Sequence, residues 1–312
     1  MLIRFSIFGL LFGITFAGEA AGFTVKETKS GVTLKYNGKL FTRYVIGQSN
    51  KPFLWPVIGP TGEEMTRAYP MEKREGERHD HPHHRSFWFG HQGIGGFDTW
   101  HEPASGRKTS LGSTVHRKFM KVQGGDTAVI VTRNDYVGGG KKLLADERTH
   151  IFKVEKGQCI IDVNIIFTAE HGDCVLGDKK DAGFSVRIAT SMDVDSKKGG
   201  SIINSNGITD KAAWGRRAAW VDYHGPVNGK TVGVAILNHP SSFRHPTPWH
   251  VRTYGLFTAN PFGLRSLRQG EDGSFTLKKG KSITLKHRVI FHKGDEKSAK
   301  IADAYKAYAS EK

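Results

Sequence analysis

The chain has 312 residues, of which 38% are hydrophobic and 24% charged, a balance that excludes disorder and suits one large β domain or two ordinary ones. Its net charge is +16 at pH 7, but no arginine-rich helix and no zinc-finger spacing accompany it. The excess therefore reads as a generally basic surface, or as attraction for acidic polysaccharide or anionic envelope material, and not as nucleic-acid binding.

At the N-terminus, Arg4 precedes an apolar run from Phe5 to Phe16, about a dozen residues and too short to span a bilayer comfortably. Ala17, Gly18, Ala20 and Ala21 follow. This is the pattern of a secretory signal peptide over residues 1–21, with the folded domain over 22–312 and a periplasmic or extracellular destination; an uncleaved anchor is the alternative. No later stretch is long and apolar enough to cross a membrane. Cys159 and Cys174 are the two cysteines. In an exported protein they pair or remain free thiols.

The segment "FTVKETKSGVTLKYNGKLFTRYVI" predicts three antiparallel strands, with turns at Ser30-Gly31 and at Asn37-Gly38, a type I′ hairpin signal. Residues 50–113 contain Pro52, Pro56, Pro60, Pro70, Pro82 and Pro103 with many glycines, so a long functional loop is expected there. Strand patterns return in "TVHRKFMKVQ", "TAVIVTRNDYV" and "LLADERTHIFKVE". "QCIIDVNIIFTAE" places Ile161, Val163, Ile165 and Phe167 on one face; "TVGVAILN" and "SITLKHRVIFH" behave likewise. Period-two alternation over so many short runs predicts an all-β, single-domain antiparallel sandwich or supersandwich. The last segment predicts a helix, with Asp295 as its cap and Ile301, Tyr305 and Tyr308 as its apolar stripe.

Six of the 15 histidines fall in "ERHDHPHHRSFWFGHQGIGGFDTWHE", residues 77–102. In an extended chain His79, His81 and His83 share one side. That arrangement offers imidazoles to a divalent metal, with His84, His91, His101 or a carboxylate from Glu77, Asp80 or Glu102 completing the set. Arg85 opposes a cation and suits an anion or a hydroxylated ligand instead. Phe87, Trp88 and Phe89 offer faces to sugar rings. Imidazoles near neutral pKa also suit general acid–base work. The bland reading is that these histidines only knit the loop.

A second cluster, "NHPSSFRHPTPWHVRTYGLFTANPF", repeats the composition, and the two are expected to meet. The expected catalytic residues are His81, His83, His84 and His250, with Glu147 or Asp181 as the acid. His79, Arg85, Trp88, His91, His239, Arg244, His245, Trp249 and Asn260 are the expected ligand contacts. A metal would sit on His79, His81 and His83. "AAWGRRAAWVDYHG" places Trp220, Asp222 and His224 on one strand face. No nucleophile elbow, Walker loop, dinucleotide fingerprint or H-E-x-x-H helix is present.

The segments "YPMEKREGERHDHPHHRSFWFGHQGIGGFDTWHE", "AAWGRRAAWVDYHG" and "LNHPSSFRHPTPWHVRTYGLFTANPF" together resemble the PmoA-like family of exported bacterial proteins. The resemblance runs from about residue 25 to the C-terminal helix. That family is functionally uncharacterised and carries a methane-oxygenase label. Its strand-rich plan is similar to galactose-mutarotase-type supersandwiches, which bind or process carbohydrates. The resemblance thus implies an exported protein that binds or processes a carbohydrate or another hydroxylated or anionic small molecule. As an enzyme it would be of lyase, hydrolase or epimerase type with histidine acid–base catalysis, using no cofactor or a divalent metal. The alternatives are a metal-dependent oxygenase or hydrolase built on the H-x-H-x-H run, and a non-enzymatic binding module for acidic glycans.

Overall fold

The computed structural model describes residues 21–311. The expected signal peptide lies outside them except for Ala21. In chain order the strands are β1 (Phe23–Thr28), β2 (Gly31–Tyr36), β3 (Lys39–Val45), β4 (Phe53–Val57), β5 (Phe87–His91), β6 (Gly112–Gln123), β7 (Ala128–Gly138), β8 (Lys141–Glu155) and β9 (Gln158–Thr168). They continue as β10 (Cys174–Leu176), β11 (Ala182–Arg187), β12 (Ser201–Asn204), β13 (Trp220–Val227), β14 (Lys230–Asn238), β15 (Trp249–Val251), β16 (Leu256–Ala259), β17 (Phe275–Leu277) and β18 (Ser282–Lys293), followed by helix α1 (Ile301–Ala309).

Two eight-stranded sheets result. The first runs β1-β2-β3-β4-β5-β11-β16-β15 and the second β12-β13-β14-β18-β9-β8-β7-β6; β10 and β17 form a separate ribbon. Every ladder is antiparallel, including the joins β5·β11 and β14·β18 between strands distant in sequence. The expected all-β sandwich with a C-terminal helix is the observed fold. Asn37 and Gly38 both have positive φ, 47° and 74°, as the type I′ turn requires.

The expected loop over 50–113 contains two strands of the first sheet. β4 and β5 show no alternation of burial, since four of the five residues of β4 and all five of β5 are buried. A strand covered on both faces reads as a continuous apolar run, so period two cannot reveal it.

The core lies between the sheets. Phe41 meets Phe152 and Phe89 meets Phe167 across it, with ring centroids 6.1 and 4.9 Å apart. α1 covers the far side of the second sheet, burying Ile301 and Tyr308 against Ile160, Leu237 and Ile290. Asp295 caps the turn before the helix, accepting from Ser298 N at 2.8 Å, while Lys300 occupies the helix N-cap. Within the core Asp146 accepts from Tyr136 Oη and Arg148 at 2.7 Å each and from Asn134 at 2.6 Å. Cys159 and Cys174 are free thiols, and burial pushes each up to about 11. Among the described residues no helix is long and apolar enough to cross a membrane.

Candidate functional site

Strand alternation builds a polar patch on the outer face of the first sheet. On β5, Phe87 and Phe89 point into the core, so Trp88 and Gly90 point outward. On β11, Phe184 and Val186 point inward, leaving Ser185 and Arg187 outward with Asp181 just ahead of the strand. On β15, Trp249 and Val251 are core residues and His250 is the outward one. Gly90 admits Trp100, since a Cβ there would lie 3.2 Å from Trp100 Cα. Trp100 in turn brings His101 onto the patch.

The segment 59–86 folds over this face around one buried cation. Arg67 donates to the carbonyls of Tyr69, Arg78 and His81, at 3.1, 3.2 and 3.1 Å, and pairs with Asp80. Arg187 donates to the same carboxylate at 3.0 Å. Burial alone would raise Asp80, but His81, Arg187 and Arg67 outweigh it and hold the carboxyl well below its usual range. Glu77 accepts from the backbone N–H groups of Ala68 and Tyr69 at 3.1 Å each, fastening the same segment.

His81 has φ +46°, so the H-x-H-x-H run is bent and its three rings diverge. His79 is exposed and stacks on Tyr69 at 5.0 Å. His81 lies between Tyr254 and His84, with centroids 5.0 and 4.7 Å away and planes within 13° of parallel. His84 then covers Trp88 at 5.4 Å. The result is a four-ring stack, Tyr254–His81–His84–Trp88. His83 turns aside toward His101, centroid to centroid 4.4 Å. The expected metal set of His79, His81 and His83 is therefore not assembled. Nor do Phe87, Trp88 and Phe89 offer faces to a ligand: two are core residues and His84 covers the third.

Hydrogen bonds assign the role of Nδ1 in three of these rings. His84 Nδ1 faces a guanidinium N–H of Arg187 at 3.2 Å and so accepts, leaving the proton on Nε2; burial first and Arg187 next hold it well below the ordinary histidine value. His101 Nδ1–H donates to the buried carboxylate of Asp98 at 2.8 Å, and Asp98 also accepts from the N–H groups of Trp100 and His101 at 2.9 Å each. His101 Nε2 then faces Asp181 at 4.0 Å. His250 Nδ1–H donates to the Lys180 carbonyl at 2.8 Å and lies 3.8 Å from the other Asp181 oxygen. Its Nε2 is buried with no hydrogen-bond partner among the described residues, and burial pushes His250 down to about 4. His83, also lowered chiefly by burial and then by His101, falls to about 2. The patch thus contains three imidazoles that burial holds low, His83, His84 and His250, with Asp181 between His250 and His101.

Other expected residues are placed elsewhere. Arg85 pairs with Glu102, which also accepts from Lys51 at 3.0 Å and Ser49 at 2.8 Å. Burial would raise Glu102, but Arg85 and Lys51 hold it at about 2. His91 points into the core beside Phe262 and accepts from Gly93 N at 2.8 Å. His239 donates to the Glu311 carbonyl and His245 meets Tyr305 Oη, so both fasten the C-terminal helix segment. Arg244 donates to the carbonyls of Pro261 and Gly273, and Trp249 to that of Ala218. Asn260 donates to the carbonyls of Lys179 and Lys180 at 2.9 Å, steadying the segment that carries Asp181. Glu147 lies on β8 between the inward-facing Asp146 and Arg148, so it points to the outer side of the second sheet. The two histidine-rich segments meet where Tyr254 stacks on His81 and Phe262 packs against His91, and His250 reaches the patch through Asp181.

The sequence reading missed Asp98 as an orienting group, together with Tyr254, whereas "DKKDAGFSVRIA" did offer Arg187 beside Asp181. The first carried a signal: "FDTWH" places a carboxylate three residues before an imidazole, in a tight turn where both can meet.

Among the described residues, one group of three ligand-type side chains has its donor atoms within 4.8 Å of one another: Asp222, His224 and Glu296. His224 Nδ1 is 2.8 Å from Asp222 Oδ1 and 3.9 Å from Glu296. Asp222 Oδ2 accepts from His292 Nε2 at 2.6 Å. This group makes no hydrogen bond, ion pair or ring contact with the histidine patch.

Fold and site together define a two-sheet antiparallel sandwich with a buried cluster of histidines and aspartates on one outer face. The chain belongs to a family of unknown function, DUF6807, whose model matches residues 31–306. This corrects the PmoA-like assignment: the matched family is an uncharacterised one, and nothing in the match supports a methane-oxygenase domain. No curated protein matches the chain. Among solved structures it is similar to the Slr1438 protein of Synechocystis sp. PCC 6803, at 10% identity over 91% of this chain and 100% of that one, with a TM-score of 0.36. It is also similar to a galactose mutarotase related enzyme from Lactobacillus acidophilus, at 9% identity over 86% of this chain and 97% of that one, TM-score 0.35. A Glycoside Hydrolase Family 97 enzyme from Pseudoalteromonas sp. strain K8, solved with acarbose, matches at 10% identity over 86% of this chain and 33% of that one, TM-score 0.27. At such scores these likenesses carry no functional weight, and the sandwich class rests on the strand pairing itself.

Proposed function

We propose that the protein binds a hydroxylated small molecule of the carbohydrate class on the outer face of its first sheet and moves a proton on it. One observation carries this reading: the Asp98–His101 pair, whose free Nε2 is turned on Asp181. A buried carboxylate holding Nδ1–H fixes the tautomer, so Nε2 is the proton acceptor. The imidazolium formed there is stabilised by Asp181 on one side and Asp98 on the other. Hydroxyl groups find partners at the rim, where the Tyr254 hydroxyl and His81 stand at ring edges and the Asp181 side chain is 10% exposed.

The test is saturation-transfer NMR of the purified protein with a panel of free sugars, followed by incubation of any binder in D2O. Binding with deuterium entering a carbon-bound position, lost in His101→Gln and Asp181→Asn, is the expected result. Binding without exchange removes proton transfer at carbon and leaves a binding module or proton transfer at oxygen. Absence of any sugar binder removes the reading.

A second reading rests on Asp222, His224 and Glu296. These three are proposed to hold a divalent ion that ties β13 to the segment leading into α1, with His292 orienting Asp222 as an outer partner. The N-terminal pattern supports export as a further proposal. Mass spectrometry of the protein from a periplasmic or culture fraction checks it, with a mature N-terminus near Ala21 expected.

A further inference from the structure

A cavity of about 520 Å³ opens beside the histidine patch, walled by residues 211–216, 251–253 and 267–269. Its lining carries Lys211, Arg216, Arg252 and Arg268, and no carboxylate. Among the described residues none of these four cations forms an ion pair, whereas the adjacent Arg217 pairs with Glu271 at 3.9 Å. Two of them are positioned on aromatic rings: Arg268 over Trp214 at 5.4 Å and Arg252 over Tyr254 at 5.3 Å. Trp214 also has a buried indole N–H without a partner. Like charges converging on one hollow repel one another unless an anion lies between them.

The cavity shares walls with the proposed site. Trp214 stands edge-on to His250, 6.3 Å between centroids, and Arg252 touches the same Tyr254 that stacks on His81. A ligand of two or three ring-sized groups can therefore span both. We infer that the substrate is an acidic saccharide, whose carboxylate or sulfate group enters this cavity while its hydroxyls meet Tyr254, His81 and Asp181. The inference rests on the histidine patch being the sugar site and adds the charge of what it takes. Guanidinium groups match both oxyanions by paired N–H donation.

The experiment is calorimetric titration of the full chain with matched pairs, at about 150 mM salt so that diffuse attraction is screened beyond roughly 8 Å. Cellobiouronate is set against cellobiose, digalacturonate against the matching galactose disaccharide, and N-acetyllactosamine 6-sulfate against N-acetyllactosamine, each long enough to reach from the cavity to Tyr254. The expected result is at least a roughly tenfold preference for one anionic member; whether a uronate or the sulfate shows it identifies the oxyanion. The preference should be lost in Arg252→Gln and in Arg268→Gln, the latter an exposed position at which folding is not at risk. It should persist in Lys118→Glu, a charge change on exposed β6 surface away from the cavity lining. Neutral members binding as tightly as their anionic partners overturn the inference and leave the sugar-site reading standing. Equal loss in Lys118→Glu and Arg268→Gln overturns it in favour of net charge alone. No binding by any member removes both.

Discussion

The imidazole of His81 lies flat on the ring of Tyr254, with centroids 5.0 Å apart and planes 9° from parallel. His84 covers the other face of His81, so the stack presents edges to solvent and not faces. The Tyr254 hydroxyl is then its clearest ligand contact. Tyr254→Phe keeps the stack and removes one hydroxyl. Loss of one net hydrogen bond lowers affinity for the bound sugar by about 2- to 10-fold, with thermal stability unchanged. Calorimetry with both proteins checks this, and equal affinities place the ligand elsewhere.

Asp181 is charge-coupled to His250, 3.8 Å away. Its carboxylate partly offsets the burial that lowers the imidazole. Asp181→Asn removes that offset, so the His250 ring resonances should titrate at a lower pH than in the parent protein. NMR titration of the two proteins measures this directly, and an unchanged midpoint denies the coupling. Exchange of substrate protons should fall in the same variant, since the imidazolium on His101 loses one of its two neighbouring carboxylates.

The fold was legible where one face of a strand is wet. β2, β3 and β9 interleave buried and more exposed positions, and α1 has its stripe at Ile301, Tyr305 and Tyr308, whereas β18 is legible from its apolar residues although His287–His292 are covered on both faces. β4 and β5 were not legible, because burial on both faces erases the alternation and Pro52 and Pro56 read as breakers. Part of the candidate patch was legible by composition: His81, His83 and His84 pack together and His250 lies beside Asp181. Their roles were not, because one left-handed residue, His81, turns an apparent ligand row into a stack. His239 and His245 have the same local flavour as His250, yet they face the C-terminal helix. Only the positions of β14, β15 and α1 in three dimensions separate them.

The buried network around Asp146 sets up a stability test. Asp146 satisfies Arg148, Tyr136 and Asn134 inside the core. Asp146→Ala leaves a buried guanidinium without its counter-charge and should destabilise by about 3–5 kcal/mol. Tyr136→Phe removes one neutral donor and should cost about 1 kcal/mol. Urea unfolding ranks the two, and similar midpoints would show that Arg148 finds another partner.

Metal addition separates the two readings of Asp222, His224 and Glu296. If they hold an ion, native mass spectrometry with Zn²⁺ shows one bound equivalent. Unfolding free energy then rises by about 2.7 kcal/mol at a hundredfold excess over Kd, and chelation reverses the rise. Glu296→Gln should abolish the rise. No bound equivalent leaves the group as a hydrogen-bonded Asp–His–Glu clasp.

Stability should fall as the solution is acidified from neutrality, and histidines rather than carboxylates should govern the first part of that fall. Burial lowers His91, His150 and His287 to about 3 each and His250 to about 4, against about 6.5 for the unfolded chain. Between those values the unfolded state binds the more protons, so unfolding free energy decreases as pH drops. Their contribution is complete above about pH 7 and is lost progressively toward pH 3–4. Each such histidine contributes a slope of about 1.4 kcal/mol per pH unit. His224 is raised by its bond to Asp222 and acts in the opposite sense, its stabilisation being lost as pH rises. One raised group does not cancel four lowered ones. Urea midpoints at pH 7, 6 and 5 should therefore decrease in order, and calorimetry in buffers of different ionisation enthalpy should register net proton uptake on unfolding at pH 5. A midpoint that holds steady or rises from pH 7 to 5 would mean that these imidazoles are charged or hydrated in the folded protein.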